Sequence, residues 1–244
     1  MIVHDISPIL GSEAPDYPGD PPYRRTTVAA LAAGDGSELS RFEFSAHAGA
    51  HLDAPAHFIP GGRTIDRYPA AAFILPALVA AIEDPEAVRP AELDRLRPRP
   101  AGALLFRTRN STDGLMLAPV FAERWVHLAA EAAAWCVARK LALVGIDGLS
   151  VDRFRDPAHP AHHALLGAGI LVLEGINLRA VAPGPYTLVC LPLRAAGAEA
   201  SPVRAVLIEG FPEDRGLGID DSGNNRDHNP PPLFIMRVGA ASRR

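Results

Sequence analysis

Residues 47–57 place three imidazoles and one carboxylate, those of His47, His51, Asp53 and His57, among glycine, alanine, leucine and proline. All four sit at odd positions, so a straight strand would carry them on one face. At ~3.3 Å per residue that strand would hold His47 and His51 ~13 Å apart, too far for two nitrogens that each need ~2 Å to a shared ion. If the two share an ion, the chain has to leave extended geometry after Ala46. Gly49 permits the backbone angles of a tight bend, and Pro55 prevents a long helix through the cluster. The expectation is a strand ending near Ala46, a tight turn carrying the ligands, and a chain redirected at Pro55. Imidazole and carboxylate are ligands of zinc, manganese and iron, and a carboxylate such as Asp53 can bridge two ions. His57 lies beyond Pro55 and need not coordinate, and an imidazole titrating near neutrality suits proton transfer. The competing reading is ordinary surface or core histidines. Four candidate ligands separated by small residues, in a chain with nine histidines in all, argue against it.

The 244-residue chain has enough apolar residues, 48%, for a sizeable core, and its length fits one large domain. A net charge of −4 and the absence of a basic stripe exclude nucleic acid as the expected partner. No apolar run approaches the ~20 residues of a membrane span, and the opening Met1-Ile2-Val3-His4-Asp5 carries no basic or long apolar stretch. Cys136 and Cys190 lie in apolar surroundings and form no CxxC pair, which fits buried free thiols in a reducing compartment. A soluble, cytoplasmic protein is expected.

Turn signals crowd residues 1–25, and Thr26–Ala32 and Ser40–Ala46 read as strands. Ala71–Ile82 is apolar and fits strand or helix. Pro90–Leu96 reads as a short helix and Gly102–Arg107 as a buried strand. Pro119–Lys140, Ala-rich with Pro at its start and Arg139-Lys140 at its end, is the strongest helix expectation. Ala142–Ile146, Ile170–Leu173, Tyr186–Leu193 and Val203–Ile208 read as further strands, and Pro160–Leu166 as a helix closed by Gly167. Strands outnumber helices without strict alternation, so the expected class is α/β with a mixed sheet in a single domain covering residues 1–210. From Phe211 the composition turns to Gly, Asp, Asn, Arg and Pro, and 211–244 reads as a C-terminal extension.

A second group follows: His159, His162 and His163, then Glu174 at the end of an apolar run. A carboxylate ending a buried strand is costly unless paired or metal-bound, so His162 and Glu174 are candidates for a second set of ligands. There is no Gly-x-Ser-x-Gly elbow and no Walker or dinucleotide glycine motif. Asp147 and Asp152 are expected to hydrogen-bond within the loop between them.

The run His47-x-Gly49-x-His51-x-Asp53-x-Pro55-x-His57-Phe58 resembles the HxGTHxDxPxHF motif of the cyclase family, which includes bacterial kynurenine formamidases and isatin hydrolases. Asp5-Ile6-Ser7, Tyr17-Pro18-Gly19-Asp20, Ala161-His162-His163, Leu173-Glu174-Gly175, Pro183-Gly184-x-Tyr186 and Ser201-Pro202-Val203-Arg204-Ala205 resemble other family segments in the right order. The resemblance runs from about residue 3 to 208. It implies a swivelling β/β/α fold, a homodimer or higher homo-oligomer, and one or two divalent ions, Zn²⁺ or Mn²⁺. It implies His47, His51 and Asp53 as ligands of a first metal, with Asp53 bridging to a second held by His162, and Glu174 contributing to one or both. His57 and Glu174 are the implied catalytic residues, His57 as proton donor and acceptor. Tyr17 and Phe58 are candidates for one wall of the substrate pocket. The implied reaction is hydrolysis of an amide-type C–N bond, in an aryl formamide such as N-formylkynurenine or a cyclic amide such as isatin. Alternatives are a lactone or ester hydrolase, a cyclase or dehydratase on the same metal site, or a non-catalytic metal- or ligand-binding protein. The motif's threonine is Ala50 here, which removes a hydroxyl expected beside the site, and Tyr17 stands where related formamidases usually carry tryptophan.

Overall fold

The structure is a computed structural model that describes residues 1–209; the expected extension 211–244 lies outside the described residues. In chain order the strands are β1 (Ile2–Asp5), β2 (Arg24–Ala29), β3 (Leu39–Glu43), β4 (His51–Asp53), β5 (Ile74–Ala81), β6 (Ala87–Val88), β7 (Ala103–Arg107), β8 (His127–Leu128), β9 (Leu143–Ile146), β10 (Leu171–Glu174), β11 (Gly184–Val189), β12 (Ala200–Pro202) and β13 (Val206–Glu209). The α-helices are α1 (Pro90–Leu93), α2 (Arg109–Thr112), α3 (Ala130–Ala138) and α4 (Pro160–Gly167). Nine strands form one mixed sheet in the order β1-β13-β11-β5-β7-β9-β10-β4-β12. Its centre, β5-β7-β9-β10, is parallel, and antiparallel strands extend it on both sides. The expected mixed α/β class is what the chain adopts.

The two sheet faces bury different halves of the core. Side chains alternate along each strand. Leu52, Leu105, Leu143, Leu171 and Leu173 therefore pack on one face with Ile6, Ile176 and Leu178. Leu104, Phe106, Val144, Ile146 and Val172 pack on the other against Ala132, Ala133 and Cys136 of α3 and Leu165 and Leu166 of α4. Each such fully buried Leu, Ile or Phe contributes roughly 1.5–3 kcal/mol of burial free energy. Both cysteines are buried and free.

The alternation also places the site. Leu52 points into the first core, so His51 and Asp53 on either side of it point to the helix-covered face. In β10, Glu174 shares that face with Val172. The antiparallel register sets Glu174 opposite His51 and Val172 opposite Asp53. Helix α4 crosses this face and brings His162 to the same point.

The sequence expectation fails most clearly at Pro119–Lys140, where the helix covers only Ala130–Ala138. Residues before it are tied up elsewhere. Val126 N–H donates to Asn110 Oδ1, Trp125 Nε1–H donates to the carbonyls of Ser150 and Asp152, and β8 pairs with β6. These long-range bonds hold 125–128 extended despite the local helix propensity. Ala71–Ile82 resolves into a 3₁₀ turn at Ala70–Phe73 followed by β5.

Candidate metal centre and active site

The tight turn expected after residue 46 is present, but it carries only His47. His51 and Asp53 lie on β4, a three-residue strand flanked by β10 and β12, and not on the turn itself. The bend solves the distance problem, with the His47 and His51 rings 5.0 Å apart. Gly49 makes it with φ +61, and its carbonyl accepts the His51 Nδ1–H at 2.9 Å. Gly175, just past β10, has φ +68 and packs so closely that a Cβ there would come 2.1 Å from the Gly49 oxygen. Only glycine lets Glu174 and the His47–His51 bend approach this closely. Pro55 then opens a 3₁₀ turn, Pro55–His57, that redirects the chain as expected.

Six side chains converge: His47, His51, Asp53, His57, His162 and Glu174. The His51 Nε2 stands 3.4 Å from Glu174 Oε2 and 3.6 Å from Asp53 Oδ1. The His162 Nε2 stands 3.2 Å from Glu174 Oε1 and 3.4 Å from Asp53 Oδ2. His47 Nδ1 is 2.9 Å from Asp53 Oδ1, and the His57 ring lies 4.2 Å from that of His47. Phe58 stacks on His162 at 4.5 Å between centroids.

The donor set fits a cation. His51 Nε2, both Asp53 oxygens and His162 Nε2 are buried without a hydrogen-bond partner among the described residues. An unmet buried polar atom costs about 1–3 kcal/mol, and here several of them face one another. His51, Asp53 and Glu174 offer ligand atoms within 4.8 Å of one another, as do His47, Asp53 and His57. Nitrogen and carboxylate oxygen in this mixture suit zinc or manganese.

Without an ion the charges compensate internally. Burial opposes a charge on His51, but the Glu174 and Asp53 carboxylates outweigh it and raise its pKa to about 9. Burial likewise disfavours charge on His162, yet Glu174, Asp152 and Asp53 raise it well above the ordinary imidazole value. Burial alone would raise Glu174, but His162 and His51 hold it down at about 2. Asp53, completely buried, is held well below the usual carboxylate range by His162 and His47 against the cost of burial. His57 differs: its burial dominates and lowers its pKa, so the ring is neutral at neutral pH.

A cleft of about 210 Å³ opens above these residues, and Tyr17 and Phe58 both line it. Tyr17 is wedged edge-on against Phe121 and Phe154, at 5.4 and 5.8 Å. Ser45 ties the opening loop to the histidine turn: its hydroxyl donates to Asp20 and accepts the His47 N–H. Ala50 departs from expectation. Its methyl packs in the first core with Ile6 and Leu52, not into the cleft, so the missing hydroxyl leaves no gap in the cleft wall.

Sequence reasoning missed the roles of Asp152 and Asp147, whose carboxylates bond outside their own loop. Asp152 Oδ2 accepts the His162 Nδ1–H at 2.7 Å. Asp147 accepts the N–H groups of Thr108 and Ser111 at the start of α2. A Ser-x-Asp segment followed by Pro-Ala-His is the only local signal for the Asp152 contact, and it gives no distance. Glu199, with Oε1 3.6 Å from His47 Nε2, was also not anticipated.

The fold and site together define a mixed α/β protein with a buried histidine–carboxylate centre opening on a cleft of mixed polar, aromatic and apolar lining. The Cyclase family model matches residues 4–153, more than half of the chain, and the chain belongs to that family. It is 35% identical over 216 residues to a kynurenine formamidase of Salinibacter ruber, covering 85% of this chain and 97% of the relative. It is 32% identical over 203 residues to a kynurenine formamidase of Bacillus thuringiensis, covering 83% and 95%. Among solved structures, one described as a potential metal-dependent hydrolase with cyclase activity superposes with TM-score 0.75 at 27% identity, covering 86% of this chain and 99% of the other. Isatin hydrolase A from Labrenzia aggregata superposes with TM-score 0.73 over 86% and 94%, and at 23% identity it supports the fold alone.

Proposed function

We propose that this chain is a metal-dependent hydrolase of an amide-type C–N bond, with an aryl formamide or a cyclic aromatic amide as substrate. The observation that carries this reading is the set of buried His51, Asp53 and His162 atoms that face one another beneath the cleft without forming a hydrogen bond. The chain's similarity to kynurenine formamidases supports the choice of bond. His47, His51 and Asp53 would hold one divalent ion, and Asp53, His162 and Glu174 a second, with Zn²⁺ the first choice and Mn²⁺ the other. When bound, such an ion lowers the pKa of a coordinated water towards ~7 and polarises a carbonyl.

The chain's own residues do the rest. Tyr17 and Phe58 offer aromatic surface to the ring of the substrate. Burial keeps the His57 imidazole neutral, ready to take a proton and pass it to the leaving nitrogen. An aniline-type nitrogen is a weak base, so protonation at the moment of bond cleavage is what its departure needs. The cleft walls of Met116, Leu149 and Phe58 limit the water around the reacting bond.

The protein is also proposed to act as a homo-oligomer. The β2–β3 ribbon exposes Val28, Leu39 and Phe42, and an isolated two-stranded ribbon is marginal in water. Among the described residues no helix is long and apolar enough to cross a membrane. Two buried free thiols fit a reducing compartment, in keeping with the cytoplasm.

The substrate reading is tested with a panel of N-formyl arylamines, isatin, and aryl lactones. Hydrolysis of the formamides or isatin well above the lactones supports it. Preference for the lactones, with the amides untouched, would replace it with an esterase reading.

A further inference from the structure

We infer that Asp152 is a positioning residue that fixes the tautomer of His162, so that Nε2 is the atom offered to a bound ion. The inference rests on the metal-site reading above. Asp152 is 2% exposed, and the three hydrogen bonds that its carboxylate accepts all come from α4. Its Oδ1 accepts the Ala161 N–H at 2.8 Å, and its Oδ2 accepts both the His162 N–H at 3.1 Å and the His162 Nδ1–H at 2.7 Å. One carboxylate therefore holds the first turn of the helix and the ring it carries. With Nδ1 committed to an acceptor-only carboxylate, Nε2 is left facing Asp53 and Glu174 with no hydrogen-bond partner.

The same short loop grips the carboxylate across from it. Val151 N–H donates to Glu174 Oε1, and Trp125 pins the loop backbone through the carbonyls of Ser150 and Asp152. His51 is held differently, by the neutral Gly49 carbonyl. A charged partner makes the bonded imidazole a stronger donor to metal than a carbonyl does, so Asp152 favours the His162 side of the centre.

Zinc is the probe. In ¹⁵N-labelled, zinc-loaded wild-type protein, nitrogen-detected correlation spectra should show His162 protonated at Nδ1 and shifted by zinc at Nε2. Coordination through Nδ1, or no zinc binding at all, would overturn the inference. Asp152→Asn keeps the size of the side chain and one acceptor oxygen while removing the charge and the second of the two oxygens that bond α4. Chelator competition should show it binding zinc about 10–100-fold more weakly than wild type, with an unchanged helical spectrum. A folded Asp152→Asn protein with wild-type zinc affinity would refute the inference. Trp125→Phe loosens the loop but spares the carboxylate. If it weakens zinc as much as Asp152→Asn, Asp152 acts only through loop stability and the inference fails. Should Asp152→Asn not fold, the wild-type spectrum decides alone. A wild-type protein that binds zinc through Nε2 yet cleaves no amide would sink the proposed function and leave this inference standing.

Discussion

Glu174 stands opposite His51 across the antiparallel β4–β10 pair, its Oε2 3.4 Å from the imidazole Nε2. Residues 123 positions apart are joined here by strand register, and the pair is rigid because Leu52 and Leu173, their neighbours, are completely buried on the opposite face.

Glu174→Gln keeps the shape of this pair and removes its charge. Replacing a ligand should cost at least the 10–100-fold in metal affinity that outer partners of metal ligands contribute. Elemental analysis of the purified variant should show less metal per chain than wild type. Full metal occupancy would place Glu174 outside the ligand set.

His57→Ala should separate chemistry from binding. The ring lies beside His47 but is not required by the carboxylate pairs, so the variant should keep its metal while turnover falls by about 10²–10⁴-fold. Because burial lowers the His57 pKa, the part of the wild-type pH profile that His57→Ala removes should lie below the range of a free imidazole. Loss of metal from His57→Ala would make His57 a ligand instead.

Metal uptake should expel protons. In the metal-free protein His51 titrates at about 9 and His162 well above its ordinary value, so both are charged at pH 7.5. Coordination needs neutral imidazoles. Zinc binding at pH 7.5 should therefore release protons, and affinity should rise as pH rises towards 9. Calorimetry in buffers of different ionisation enthalpy reads the number released. A heat independent of the buffer would contradict the charges assigned to His51 and His162 in the metal-free protein.

Gly175→Ala should be far more damaging than Gly197→Ala. Both glycines have positive φ, but a Cβ at 175 meets the Gly49 carbonyl while at 197 it meets nothing within 4 Å. Strain alone accounts for about 1 kcal/mol at 197, and the clash adds a further 1–3 kcal/mol or more at 175. Thermal denaturation should rank the two, and equal midpoints would show that the close approach of these loops is not required.

Much of this centre is legible in the sequence because its inner residues are few, chemically distinctive and partly clustered. The spacing of His47 and His51 demands a bend, and Gly49 supplies it. What sequence could not supply were contacts set by register and helix placement. His51 and Asp53 belong to a strand because β10 and β12 pair with them, which no local pattern in three residues reveals. Asp152 looks like a turn residue until α4 is set over it. The stretch 119–129 has helical propensity, yet Asn110, Ser150 and β6 claim its hydrogen bonds. Ala50 reads as a lost active-site hydroxyl, but alternation along the chain turns its methyl into the core.

The most direct test of metal-dependent hydrolysis is to strip the protein with a chelator, restore Zn²⁺ or Mn²⁺ in steps, and follow cleavage of an N-formyl arylamine. Activity should vanish on stripping and return in proportion to metal bound. A stripped protein that cleaves the formamide at the rate of the loaded one would contradict the account.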